Sequence, residues 1–390
     1  MRIERGNDGS KFMLFIMVWA IAFVFALMFV VGIIGEIVDL DLIDMVFDAL
    51  SSPWGTIAYQ IIIFILPLVI WMAIKKESWK PNFPAAKLGK KNIIILIALS
   101  FLLQPLMMLI SAISAQFFTN DVAELMYSFQ RHPFWLQMLS IAVTPAICEE
   151  LVFRGYIQSK YREHTIRKAA LINGFFFAMM HLNLQQFAYT FVLGVIFAYM
   201  VHYTRSIWAG IIPHFIVNGT QVSLGRLVFS MDAPDMPAYA EIYVAPNISY
   251  EVQGIIVLGI MTLVLSPAIF LLFREFIMHN KWLVAIEKVR EQSAQQQMQV
   301  QPQASEYENG NIYQPDSSIN VNAMPDWASP ISDAAPAPEW EGTPANEWES
   351  THSAIPQMQQ NEPVEPSKID PYAIGVVIVF VLFAVLVLLS

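Results

Sequence analysis

The sequence lacks cysteine pairs and is poor in charge, and each shortage excludes a class of protein. Cys148 is the single cysteine among 390 residues, so an intramolecular disulfide and a thiolate metal cluster are excluded. Charged residues make up only 14% of the chain and hydrophobic residues 56%, a balance that ordinary soluble domains do not reach. The apolar segments also lack the alternation of membrane strands, which excludes a barrel. What remains is a membrane protein built from helices.

Long apolar runs carry this prediction. A run of about twenty apolar residues is long enough to cross the hydrocarbon core as a helix, because unpaired backbone groups are costly in lipid. The fold class predicted is therefore all-α, a polytopic membrane bundle of about eight core helices with one further helix at the C-terminus. The runs lie at 11–34, 56–74, 93–115, 134–152, 168–182, 186–203, 206–225, 252–273 and 372–389.

The distribution of charge between the runs predicts their orientation. Basic residues in short loops stay on the cytoplasmic side, and the loops 75–92 and 154–168 are rich in Lys and Arg. The loop 35–55 contains five acidic residues and no basic one, and 226–251 is mainly acidic, so both are predicted outside. This predicts an integral, multi-pass membrane protein whose N-terminus and 274–370 segment are cytoplasmic.

Composition also predicts four regions along the chain. Residues 1–90 are predicted to hold N-terminal transmembrane helices and residues 91–278 the membrane core. The segment 279–370 is rich in Gln, Pro and Ser and cannot bury enough apolar surface to fold, so we expect a disordered cytoplasmic linker. Residues 371–390 are predicted to form a C-terminal transmembrane anchor.

Polar residues inside the apolar runs mark the candidate site. Ionisable groups are expensive in a membrane and usually face a bundle interior or a watery cavity. Here they concentrate in three segments, the first of which includes the stretch CEELVFR. The residues are Glu149, Glu150 and Arg154 in the first segment, Phe177 and His181 in the second, and His214 and Asn218 in the third.

Helical spacing assigns these residues to shared faces. Glu150 and Arg154 are four residues apart, which predicts an ion pair on one helix face. Glu149 is rotated by about 100° from Glu150 and can point elsewhere. His214 and Asn218 are again four apart and can line one wall of a cavity.

Depth gives a second criterion. Counting residues from the nearest cytoplasmic charges at about 1.5 Å per residue places Glu149, His181 and His214 roughly 14 to 20 Å inside. The three side chains can therefore meet in one layer of the bundle. Phe177 lies one turn before His181 and is interpreted first as packing, with a possible part in shaping the pocket.

One carboxylate and two imidazoles in a watery cavity favour hydrolysis, by either of two mechanisms. In the first, Glu149, His181 and His214 bind a zinc ion whose bound water attacks a carbonyl. In the second, Glu149 is a general base that activates water with His181, while His214 and the Asn218 amide donate to the oxyanion. An Asn amide suits an oxyanion better than zinc, but the sequence leaves both open.

The three segments resemble a known family. Glu-Glu-x-x-x-Arg at 149–154, Phe-x-x-x-His at 177–181 and His-x-x-x-Asn at 214–218 occur in the order of the motifs of the CAAX protease and bacteriocin-processing (CPBP, or ABI) family. Its members are integral-membrane endopeptidases similar to type II CAAX prenyl proteases. The resemblance covers roughly residues 90–225, and the linker and last helix have no counterpart in the family domain.

The resemblance implies roles for the same residues. Glu149 would be the catalytic carboxylate, supported by Glu150 and Arg154. His181 would help to activate water, and the oxyanion would be met by the two motif residues on the later helix, His214 and Asn218. Family members are usually labelled metalloproteases, with zinc as the possible cofactor, although a glutamate mechanism without metal is also argued for them.

The resemblance also implies partners. We expect membrane lipid and a peptide or protein substrate, lipidated in the prenyl-processing members, and no nucleic acid. Partners of the tail are unknown. The alternative function is a non-catalytic membrane scaffold or bacteriocin-immunity protein that uses the same polar cavity to bind a partner.

Overall fold

The computed structural model describes residues 2–38, 42–119, 121–231 and 248–304. Within these ranges the chain is helical, and it forms no strand beyond one isolated bridge between Ala85 and Ser206. The predicted all-α fold is therefore confirmed. The helices are α1 Arg2–Val38, α2 Leu42–Leu50, α3 Pro53–Gln60, α4 Leu66–Lys75, α5 Lys90–Leu102, α6 Gln104–Ser114, α7 Asp121–Ser128, α8 Phe134–Gln137, α9 Thr144–Glu150, α10 Gln158–Lys160, α11 Ile166–Met180, α12 Leu184–Thr204, α13 Trp208–Met231 and α14 Ile248–Ala304.

Six helices in the described ranges are long and apolar enough to cross a membrane. Each coincides with a predicted apolar run, so the predicted polytopic bundle is confirmed. Two further runs are also helical, α11 with only 15 residues and α13 with Pro213 inside it. The run 372–389 lies outside the described residues. The six spans are Asp8–Ile34, Pro53–Lys75, Lys90–Ser114, Phe134–Lys160, Leu184–Thr204 and Val252–Ile286.

Segments that are distant in sequence meet at one end of the bundle. At one end the Ser10 and Tyr161 hydroxyls are 2.6 Å apart, and Lys160 forms an ion pair with Glu77. These contacts bring the start of α1 to the two basic loops that were predicted to share its side. The side of the membrane that this end faces stays a prediction.

Two apolar clusters form the interior. One is built on α1, the Pro53–Lys75 helix, the Phe134–Lys160 helix and α11, and includes Phe177. The other joins α5, α12, α13 and α14, and includes Phe197. The Arg154 guanidinium lies 4.3 Å from the Phe177 ring centre and 5.4 Å from that of Phe197. The polar motif residues thus lie where the two clusters meet.

Helices α11 and α12 approach each other at a pair of glycines. A Cβ atom built on Gly194 would lie 2.6 Å from the Gly174 Cα atom, so only glycine fits this crossing. Gly194 also contacts the polar residues. Its carbonyl oxygen accepts a hydrogen bond from Arg154 Nη2 over 3.3 Å.

The last described helix extends past the predicted core. Helix α14 continues to Ala304, so residues 279–304 of the predicted linker are helical. Lys, Glu, Gln and Ala are frequent in this stretch and favour a helix. Among the described residues, 291–304 fall in a separate compact unit from the residues before them. The rest of the linker and the predicted anchor 371–390 lie outside the described residues.

Candidate active site

The helix that carries CEELVFR is irregular where the carboxylates lie. Within the Phe134–Lys160 span, π-helical segments at Met138–Val143 and Leu151–Ile157 flank helix α9. Pro145 near the start of α9 has no N–H, and wider turns before it accommodate the lost helical bond. Glu149 and Glu150 therefore follow a local rearrangement of the helix, as the proline predicts.

Glu150 is fully buried and receives two donors on one oxygen. Arg154 Nη1 lies 2.9 Å from Glu150 Oε1, and His214 Nδ1 lies 3.0 Å from the same atom. The predicted ion pair is confirmed. Because a carboxylate only accepts, His214 donates through its Nδ1–H, and its Nε2 faces the other way. Glu150 thus holds Arg154 on its own helix and His214 on α13.

Gly210 makes room for this carboxylate. A Cβ atom built on Gly210 would collide with Glu150 Oε2, and that oxygen is buried without a hydrogen-bond partner among the described residues. The close approach of α13 to Glu150 therefore requires glycine. Sequence reasoning missed Gly210, and its position one turn before His214 is the only signal.

Glu149 faces the Pro53–Lys75 helix and α13. Its side chain is buried, and Gln60 Nε2 donates to Oε1 over 3.2 Å. Its second oxygen, Oε2, lies 3.9 Å from His214 Nε2 and has no partner in the described part of the chain. Gln60 was also missed by sequence reasoning, although a lone amide inside an apolar span is a signal of an interior role.

His181 follows the last residue of α11 and packs against the Phe177 ring. Its Nδ1 donates to the Phe177 carbonyl over 2.8 Å, which leaves Nε2 as an acceptor. The next residue, Leu182, is in the left-handed region at φ 49°, so the chain turns sharply after the imidazole. The Phe177 ring centre lies 4.9 Å from His181 and 5.9 Å from His214, so both imidazoles pack against one ring.

Asn218 lies one turn after His214 and contacts the helix of Glu149. Its Nδ2 donates to the Ile141 carbonyl over 3.0 Å. Ile141 is four residues before Pro145, whose missing N–H leaves that carbonyl without its helical donor. The structure thus brings Glu149, Glu150, Arg154 and His214 into one cluster. The Phe177 ring contacts both His181 and His214, and Asn218 is held one turn from His214.

The predicted zinc ligands are not gathered into a metal-binding group among the described residues. Zinc ligands lie about 2.0–2.2 Å from the metal and converge on it. The Nδ1 atoms of His214 and His181 face Glu150 and a backbone carbonyl, a tautomer that zinc-binding histidines also adopt. In the described part of the chain, however, no three His, Cys, Asp or Glu side chains form a group that could hold a metal ion.

Comparison with known families agrees with the sequence motifs. Residues 131–220 match the family model described as Type II CAAX prenyl endopeptidase Rce1-like, and all three motifs lie within the matched segment. The match confirms the predicted resemblance over this segment and supports a membrane protease. No curated protein and no solved structure matches the chain.

Proposed function

We propose that this protein is an intramembrane endopeptidase that hydrolyses peptide bonds of membrane-associated or lipidated peptides and proteins. One observation carries the proposal. A buried, unpartnered oxygen of Glu149 faces His214 Nε2 across 3.9 Å, inside the segment that matches a membrane protease family. Such a pair of polar atoms in an apolar bundle is costly unless a further polar molecule binds between them.

Water fits this gap. A water oxygen forms hydrogen bonds of about 2.7–3.0 Å, so one molecule can contact both Glu149 Oε2 and His214 Nε2. Glu149 takes a proton as the water oxygen attacks the peptide carbonyl and forms a tetrahedral intermediate. The same proton then passes to the leaving nitrogen, and the carbon–nitrogen bond breaks. Glu149 is thereby returned to its carboxylate form.

The oxyanion of the intermediate needs donors nearby. Glu149, Glu150 and Arg154 together carry one negative charge, which a proton on His214 Nε2 neutralises. A protonated His214 remains bonded to Glu150 through Nδ1 and can donate through Nε2 to the oxyanion. Asn218 carries a second amide hydrogen beyond the one bonded to Ile141, and this hydrogen is the other donor.

His181, beside Phe177, orients the water or the substrate. Its bond to the Phe177 carbonyl fixes the tautomer with Nε2 as acceptor. An acceptor in that position can receive a hydrogen from water or from a substrate N–H. This role agrees with the one that the family resemblance implies.

The decisive test is Glu149→Gln, which keeps the shape of the side chain and removes the base. Glu275→Gln is the matched control, because Glu275 is an exposed carboxylate paired with Lys91. Cells expressing each form are compared for new N-termini among their membrane proteins. We expect N-termini that appear with the wild type and the control and are missing with Glu149→Gln. If Glu149→Gln produced the same N-termini, the proposal would be wrong.

Metal dependence is tested separately on purified protein. We expect cleavage to persist after complete chelation, because the proposed base and oxyanion donors are side chains. Stoichiometric zinc that disappears in both His181→Ala and His214→Ala would contradict the glutamate mechanism. It would favour the zinc mechanism for the same residues.

A further inference from the structure

A second polar feature lies at the bundle end where α1 and the basic loops meet. It is a shallow depression, partly open to solvent. Arg154 belongs both to this depression and to the polar cluster, but neither Glu149 nor His181 nor His214 lines it, so it lies beside the candidate active site and not within it. Its polar and charged lining includes Arg154, Gln158, Arg162, His164, His202 and Arg205.

The charge of this lining is one-sided. Arg162, Arg205 and two histidines line the depression beside Arg154, whose charge is balanced by Glu150, and no Asp or Glu is among its lining residues. Because arginine stays protonated in proteins, the surface attracts an anion at any ordinary pH. Arginine is also the side chain best suited to bind phosphate, through its planar set of donors.

Arg154 gives an independent sign that a ligand is missing. Only 1% of its surface is exposed, its Nη2 donates to the Gly194 carbonyl, and its Nη1 lies 2.9 Å from Glu150 Oε1. Both Nε and Nη1 are buried without a hydrogen-bond partner among the described residues. A buried unsatisfied donor is costly, more so on a charged group, and an acceptor in the depression would satisfy it.

The start of helix α11 adds further positive potential. Ile166, its first residue, lines the depression, and Thr165 Oγ1 caps the helix by accepting from the Lys168 N–H. The first N–H groups of a helix carry partial positive charge and bind anions. The helix start, the surface arginines and the buried Nε donor thus serve one ligand class.

We propose that this depression binds a phosphate-bearing anion. In the membrane the source is the headgroup of an acidic phospholipid, because basic pockets at the ends of membrane helices bind such headgroups. The neighbouring 75–92 loop contains six lysines, which increase the local concentration of acidic lipid. The proposal does not depend on the proposed peptidase activity.

The test measures lipid binding to the purified full chain by native mass spectrometry. Phosphatidylglycerol is the probe, and inorganic phosphate is the soluble competitor. The variant is Arg162→Gln combined with Arg205→Asn, since Asn tolerates the left-handed backbone at Arg205, φ 54°. Arg167→Gln is the matched control, because Arg167 is exposed in the same segment but does not line the depression.

We expect phosphatidylglycerol to bind the wild type and the control equally and the double variant about tenfold more weakly, since each lost arginine contact weakens headgroup binding. Displacement by inorganic phosphate would identify a soluble anion as the ligand, and no displacement would identify the headgroup. Equal binding by the double variant and the control would overturn the proposal. If the double variant fails to fold, Arg205→Lys and Arg205→Asn replace it, and the proposal then requires that only the lysine variant retain binding.

Discussion

Two polar clusters of this bundle are each built around glutamate, and they differ in how fully their hydrogen-bonding groups are satisfied. At the bundle end Glu77 forms an ion pair with Lys160 and accepts from Tyr156 and Asn82, while Trp71 donates to Tyr156. Deep in the bundle, Glu149 and Glu150 each keep one buried oxygen without a partner among the described residues. The first arrangement fastens loops together. The second keeps polar atoms unsatisfied, which is costly and is common at functional sites.

The largest effect should come from His214, which links both buried carboxylates. His214→Gln removes the Nε2 that faces Glu149 and the imidazole that bonds Glu150. We expect cleavage to fall on the order of 10²- to 10³-fold, the range for losing an oxyanion donor. Cleavage is measured on purified protein, with His279→Gln on α14 as the control. If both variants kept the wild-type rate, the deep cluster would be structural like the one at the bundle end.

A smaller effect is expected from Gly210→Ala, which removes the space for Glu150. The added methyl group must displace a buried carboxylate, and overpacking of this kind costs about 1–3 kcal/mol. Thermal unfolding in detergent measures the loss. Gly259→Ala is the control, since its Cβ would meet nothing within 4 Å, and we expect it to be neutral or slightly stabilising. Equal stability of the two variants would show that the deep cluster accommodates an added methyl group without loss of stability.

Gln60→Leu tests whether the hydrogen bond from Gln60 positions Glu149 for catalysis. Leucine keeps the volume and removes the donor to Glu149 Oε1, so we expect cleavage to fall by roughly tenfold, as for the loss of a charge-assisted hydrogen bond. Gln221→Leu is the control, because Gln221 donates to Gln104 outside the cluster. Each variant loses one hydrogen bond that a side-chain amide donates in the interior. A matching fall of activity in both would show that Gln60 acts only through stability.

The smallest effect is expected at the bundle end. Glu77→Gln weakens the pair with Lys160, whose side chains are 21% and 11% exposed, so we expect a loss of at most about 1 kcal/mol. Cleavage should be unchanged. Glu275→Gln, which breaks a pair about half exposed, should lose less still. A larger fall of activity for Glu77→Gln than for Gln60→Leu would reverse the comparison between the two clusters.

Local periodicity explains what could be predicted from the sequence. The pairing of Glu150 with Arg154 follows from a spacing of four residues on one helix, and the structure confirms it at 2.9 Å. The altered helix around Pro145, found in the structure, is also local in origin, because it follows from the missing N–H of proline. Each feature needs only the geometry of one helix.

Contacts between helices were not predicted. Depth counting brought His214 to the layer of Glu149, but it could not show that Nδ1 would face Glu150 and Nε2 would face Glu149. The link from Gln60 to Glu149 joins residues 89 positions apart, and no spacing rule reaches that far. The roles assigned to His181 and Asn218 stay predictions.

The sequence by itself determined that this chain is a helical membrane protein with three polar motifs in its apolar runs, because hydrophobicity and helical period are properties of each segment alone. Only the tertiary structure decided which oxygen of each carboxylate is satisfied and which is left facing a gap. That choice depends on how closely α13 approaches α9, which Gly210 permits, and on where the Pro53–Lys75 helix places one amide. Such distances arise from the docking of whole helices, and no single segment encodes them.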